Sequence, residues 1–452
     1  MAKRILALVL ATLLLGAAAL AEVTGPLFEA KRMSSLSTEK SGAFIFTEDG
    51  KEGLVGLDGN VLAIAQFGDL SYVDRDYYSA TNEGGFNTSA LINRNGEALT
   101  PYAYSDFRVV GPDWAVGVVL EGTNDKDSAD YTVIFGEYDY AKIVRNDIFY
   151  LPEKKQVGSL ERSQYYHSRE AGNSFLLVQD RDNTVTAYDT AFNALPCELT
   201  SIYNADLVVK SENELSPKAL YSAVTGEKLA DVEYTYLSNI SVGYTDFVDK
   251  DTRLHGILNA QGEVVCPPSY SSINPSLIDG HYIRVSQALE DGSTGEGLLD
   301  LDTMTQVVPC RYARIYTWGQ KSPINNGYVC VEEDGKLGFV DLEGNVTCPV
   351  QYSKDNVKYY GCTLGATDLT GMITLIAADG TVTPLEGVTE IPLKNGNTDS
   401  DGYFLTVKNA DGQQGVVDWH GQQVVDFVLE YDAGIYGEDC LFTGTSIYKL
   451  TK

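Results

Sequence analysis

The sequence holds only four histidines, three tryptophans and four methionines in 452 residues. Lys and Arg together number 33 against 63 Asp and Glu, a formal net charge of −30. So acidic a surface repels phosphate backbones and argues against nucleic-acid binding. It argues equally against an electrostatic grip on anionic lipid. Histidine is also badly placed for catalysis: His167, His255, His281 and His420 include no H-E-x-x-H or other metal-spaced pair. The chain has no C-x-x-C, no G-x-S-x-G elbow, no Walker loop and no dinucleotide fingerprint after a strand. Beyond the first 21 residues no apolar run reaches the length of a spanning helix.

What is abundant is glycine, at 43, and tyrosine, at 29. Gly-marked turns between aromatic and β-branched runs favour strands over helices. The N-terminus reads as a secretory signal over residues 1–21. Lys3 and Arg4 supply the charge, Ile5 to Leu15 the apolar core, and Ala19-Leu20-Ala21 the small-x-small cleavage site. The expected location is therefore secreted, extracellular or in the cell envelope. Seven cysteines leave at least one unpaired. Several stand beside proline, as in Cys266-Pro267, Pro309-Cys310 and Cys348-Pro349, and read as small buried hydrophobes, with scattered disulfides as the alternative.

A self-similar segment organises the chain. Gly338-Phe-Val-Asp-Leu-Glu-Gly344, Gly256-Ile-Leu-Asn-Ala-Gln-Gly262, Gly53-Leu-Val-Gly-Leu-Asp-Gly59 and Gly415-Val-Val-Asp-Trp-His-Gly421 share two glycines six positions apart. Turn glycines recur at Gly59, Gly96, Gly226, Gly262, Gly344, Gly380 and Gly421. Thr305 fills the slot after a turn two residues longer, and adjacent intervals run from 36 to 43 residues. With two weaker copies near Glu137 and Asn193, this makes about ten units. Runs such as Tyr328-Val-Cys-Val-Glu read as strands of period two, and the Asp-Gly, Glu-Gly and Gln-Gly pairs as hairpin turns. A third, Pro-containing run belongs on an edge. A tyrosine eight positions after the turn glycine, at Tyr104, Tyr234, Tyr270 and Tyr352, is suited to packing between units. One unit cannot bury its apolar face alone, so neighbours must stack.

These units resemble the WG-containing repeats common in bacterial extracellular proteins. The Gly, the Asp, the turn Gly, the Pro and the Tyr of that pattern are present from about Phe44 to Asp432. The Trp is not: Glu52, His255, Glu296, Leu337 and Gln414 precede the Gly. The resemblance implies a secreted β-repeat protein and no particular activity.

The expected fold is all-β, an array of about ten three- to four-stranded repeats of ~40 residues, β-propeller-like, with an open solenoid or two smaller propellers as alternatives. Residues 22–43 form an N-terminal half-repeat or cap, 44–140 repeats 1–3, 141–173 an irregular insertion, 174–433 repeats 4–10, and 434–452 a C-terminal half-repeat. The end segments resemble complementary halves of one unit, as a propeller uses to close its ring. Two acidic runs, beginning at Asp125 and Asn397, have alternating oxygens but lack the distal Glu of a calcium loop.

Exposed aromatics are the better lead. Tyr165 and Tyr166 in the insertion, and Tyr316 and Trp318 in an inter-unit loop, are the candidate binding residues. No catalytic residue, metal site or cofactor is expected. The sequence points to a non-catalytic binding or scaffold module for an extracellular protein, peptide or glycan. The alternative is a polysaccharide hydrolase or lyase with its site in a propeller channel.

Overall fold

The computed structural model describes residues 23–82, 84–123, 131–133, 140–161, 165–166, 176–179, 185–194, 201–202, 207–210, 218–222, 228–232, 234–241, 243–259, 261–278, 280–316, 327–392, 402–429 and 433–451; from 201 to 239 it describes backbone alone. The signal segment, the Asp125 run, most of the Asn397 run, Cys197 and Trp318 lie outside these residues.

The fold is all-β and propeller-like. Among the described residues, eleven antiparallel sheets of three to five strands follow one another along the chain. In chain order, sheets 1 to 10 span 32–67, 69–93, 106–161, 165–188, 201–232, 234–270, 272–312, 314–353, 357–385 and 388–429. Most are four-stranded meanders in which each strand pairs with the next. Sheet 11 is different. Its strands Gly434–Tyr436, Cys440–Phe442 and Ser446–Lys449 come from the C-terminus, and its fourth, Thr24–Glu29, from the N-terminus. Phe28 pairs with Ile447 and Glu29 with Ser446.

The described apolar clusters straddle successive sheets. Ile273 and Ile283 of sheet 7 pack with Ile257 and Tyr270 of sheet 6. Val329 and Val340 of sheet 8 pack with Val308 and Tyr312 of sheet 7. Across the joined ends, Phe404 and Val416 of sheet 10 meet Ile435 and Leu441 of sheet 11, which in turn brings Phe442 and Ile447 against Phe44 and Val55 of sheet 1. Central strands are therefore buried on both faces: Val329 to Glu332 are buried without interruption, and so are Leu337 to Val340. This departs from the half-buried alternation read from the sequence. A sheet sandwiched between two others has no solvent face to keep polar.

The recurring glycine follows from a bulge. Leu337 pairs with Tyr352, while Phe339 pairs with Cys348, so three residues face five. The same three-against-five register recurs in sheets 1, 6, 7 and 10. Carbonyls of the bulged strand come over the glycine: a Cβ on Gly338 would lie 2.7 Å from the Cys348 oxygen, and one on Gly297 2.6 Å from that of Val308. Pro267, Pro309 and Pro349 sit in the bulged fourth strand, an edge strand in each case, where a missing N–H costs little. The turn residue Gly344 has φ +80, and Asp341 Oδ1 accepts the N–H groups of Glu343 and Asn345 beside it. The Asn345 side-chain amide, donating to Oδ2 at 3.0 Å, and then those backbone bonds hold the Asp341 carboxyl below its usual range.

The aromatic facing the bulge is the plug between units. Phe67, Tyr104, Tyr270 and Tyr312 are all buried where one sheet meets the next. Within 141–173, the residues 140–150 and 155–161 form two strands of sheet 3 rather than irregular chain. The first of them pairs with Trp114–Thr123 over ten residues, longer than elsewhere among the described strands, which blurs the repeat spacing there; the second pairs with the first. The six described cysteines are unbridged and buried, filling inter-sheet space as small apolar groups. Burial pushes the thiols of Cys310 and Cys348 up to about 11.

Candidate functional site

The first strand of each sheet is an edge strand, and several of these edges carry tyrosine: Tyr72, Tyr316, Tyr359 and Tyr436. Tyr165 and Tyr166 also form a first strand, paired with Gln179 and Val178 in sheet 4. The structure thus sets the tyrosines of two sequence candidates at equivalent strand positions but in separate sheets, 4 and 8.

Tyr316 is half-buried and fully engaged. Its hydroxyl donates to Glu332 Oε2 at 2.8 Å, and Lys354 Nζ donates to Oε1 at 2.6 Å. The Arg314 guanidinium lies 5.1 Å from the centre of the Tyr316 ring. Burial, then the bond to Glu332 and its charge, pushes the Tyr316 phenol up to about 12. The Lys354 bond holds Glu332 below its ordinary range, despite its burial. With both oxygens occupied, Glu332 serves as an anchor for the ring and not as a free acid or base. A second such cluster sits in sheet 3. The buried Asp147 carboxylate accepts from Tyr104, Arg145 and Ser159.

The surface is concave where the first strands of sheets 1 and 2 lie side by side. A groove of about 400 Å³ opens there, in the range of small-ligand sites. Arg32 and Ser34 stand on one first strand, and Leu70, Ser71 and Tyr72 on the other. Ile45, Thr47 and Glu52 form further lining, with Leu36 and Ser37 from the short connection. Leu36 is 98% exposed, an unusual place for a leucine. Glu52 Oε2, on the interior strand Lys51–Gly56 of sheet 1, accepts the Leu70 N–H at 2.6 Å and ties the first strand of sheet 2 to sheet 1. Glu296 repeats this bond in sheet 7, accepting the Ile315 N–H of sheet 8 at 2.8 Å. Burial, with the charge of Asp74 next, raises the Tyr72 phenol above its usual value. The groove combines a guanidinium, four hydroxyls, a tyrosine and an exposed leucine. That mixture suits a ligand with both polar and apolar faces.

Sequence reading did not find this groove. Its one signal was Glu52 standing in front of the repeat glycine, a slot shared with Glu296. The histidines His255 and His420 each meet an aspartate: His255 Nδ1 lies 2.8 Å from Asp246, and His420 Nε2 2.9 Å from Asp379.

No family model matches the chain, and no curated protein matches it. Among solved structures, a crystal structure of the eukaryotic initiation factor aligns with 91% of this chain and 98% of its own, at 11% identity and a TM-score of 0.36. BamB from Moraxella catarrhalis aligns over 64% of this chain and 94% of its own, at 12% identity and a TM-score of 0.24. The computationally designed Ika8 protein covers 63% of this chain and 95% of its own, at 13% identity and a TM-score of 0.22. At these scores the likenesses assign nothing to this chain.

Proposed function

We propose that the chain is a secreted, non-catalytic repeat protein that binds an extracellular protein, peptide or glycan through the edge formed by its first strands. The observation that carries this reading is the groove between sheets 1 and 2, where Arg32, Leu36 and Tyr72 surround about 400 Å³. Rigid tyrosines offer large amphipathic contact area at small entropic cost. The resemblance to WG-containing repeats and the apolar leader over residues 1–21 support an extracellular setting.

The labelled chain is tested on arrays of glycans and extracellular peptides. The expected result is binding to members of one class, weakened at least about tenfold by Arg32→Ala or Tyr72→Ala, since a buried anchor commonly carries over 1 kcal/mol. Reducing ends released from a polysaccharide by the chain, or binding untouched by both substitutions, would overturn the proposal.

A further inference from the structure

We propose that His281, Asp300 and Asp302 form a site for one divalent cation of the zinc type. One ligand atom from each residue lies within 4.8 Å of the others. His281 stands at the turn before the strand Tyr282–Ala288, and Asp300 ends the strand Thr294–Asp300. The main chain joins the two turns, since the Leu301 N–H donates to the His281 carbonyl at 2.8 Å.

Three features mark this cluster. The first is the imidazole. His255 and His420 are each tied to an aspartate, whereas neither ring nitrogen of His281 has a hydrogen-bond partner among the described residues. Its ring rests against Tyr282, with centroids 4.0 Å apart. The second is the length of the turn. This copy has two more residues than its relatives, and the added length, Thr303-Met304, follows Asp302 and puts Met304 at φ 52. The third is the support behind Asp300. Its Oδ1 accepts the Asp302 N–H and its Oδ2 the Thr303 hydroxyl, both at 2.9 Å. Donors of this kind orient a liganding carboxylate.

One nitrogen and two carboxylate oxygens match the ligands of borderline divalent ions, bound at about 2.0–2.2 Å with positions left for water or a guest. Calcium wants roughly six to eight oxygens and fits this set less well. The chain's net charge of −30 favours cation capture generally, so the test must separate this site from diffuse attraction. The imidazole lies 19 residues before Asp300, a spacing that no short metal motif contains.

The untagged chain, stripped with chelator, is titrated with zinc chloride by calorimetry in 150 mM salt. The expected result is one saturable zinc per chain, weakened at least about tenfold by His281→Ala and by Asp302→Asn, while His420→Ala leaves it unchanged. Zinc should also raise the melting temperature of the parent chain but not of His281→Ala. Both substitutions lie in an outer turn, and circular dichroism verifies that the fold survives. Absence of saturable binding, or equal binding by the parent and both variants, would overturn the site. Weakening by His420→Ala alone would move the ion to the His420–Asp379 pair and overturn it too.

Discussion

At the scale of single residues, the repeat is a record of where backbone meets backbone. Gly338 is glycine because the bulged strand's carbonyl lies where a Cβ would go, 2.7 Å away. Alanine there must push the backbone of Cys348 and Val350 aside. Gly338→Ala is expected to cost about 1–3 kcal/mol, the usual range for overpacking. Gly84→Ala, with nothing within 4 Å of its added methyl, is expected to change little. Urea unfolding of the two variants measures the contrast, and equal losses would contradict the bulge explanation. The buried cysteines belong to the same scale. Desolvation raises their thiols, so they behave as packing groups and not as nucleophiles.

At the scale of the element, a unit is four strands, a tight Asx-capped turn and an aromatic plug. Much of this was legible in the sequence. Periodic glycines marked the turns, proline marked the edge strand, and Tyr270 was seen as an inter-unit contact. The burial of central strands on both faces was not legible, because alternation in Tyr328-Val-Cys-Val-Glu is indistinguishable from a short apolar run. Nor was the groove, which joins Arg32 and Tyr72 across two sheets and has no spacing signature. The residue preceding the repeat glycine was noticed only as a missing tryptophan. In sheets 1 and 7 it is a glutamate that clamps the next sheet by accepting a backbone N–H. Glu296→Ala leaves the Ile315 N–H without that acceptor and is expected to cost about 1–3 kcal/mol, while Glu296→Gln keeps an acceptor and costs less. Denaturant midpoints of the pair check this, and equal losses would mean that the carboxylate contributes only bulk.

At the scale of the whole molecule, the decisive feature is sheet 11, which takes strands from both ends of the chain. Sheets 10, 11 and 1 are thereby packed in series, so the array has no free terminal sheet at that junction. The similarity of the end segments to two halves of one unit was the only sequence sign of this. Tethered ends stabilise every sheet between them, because unfolding any one must also loosen its neighbours.

The direct measurement is a cross-link between the ends. Glu29 and Ser446 are directly paired, with Ser446 Oγ 3.5 Å from Glu29 Oε1. Opposed Cα atoms in an antiparallel pair are about 4.5–5.5 Å apart, a spacing a disulfide can span. The chain carrying Glu29→Cys and Ser446→Cys is oxidised, digested and mapped by mass spectrometry. A shared sheet predicts a disulfide joining the N- and C-terminal peptides, formed in the monomer under native conditions and lost when oxidation is carried out in urea. Oxidised monomer with both new thiols still free would contradict it.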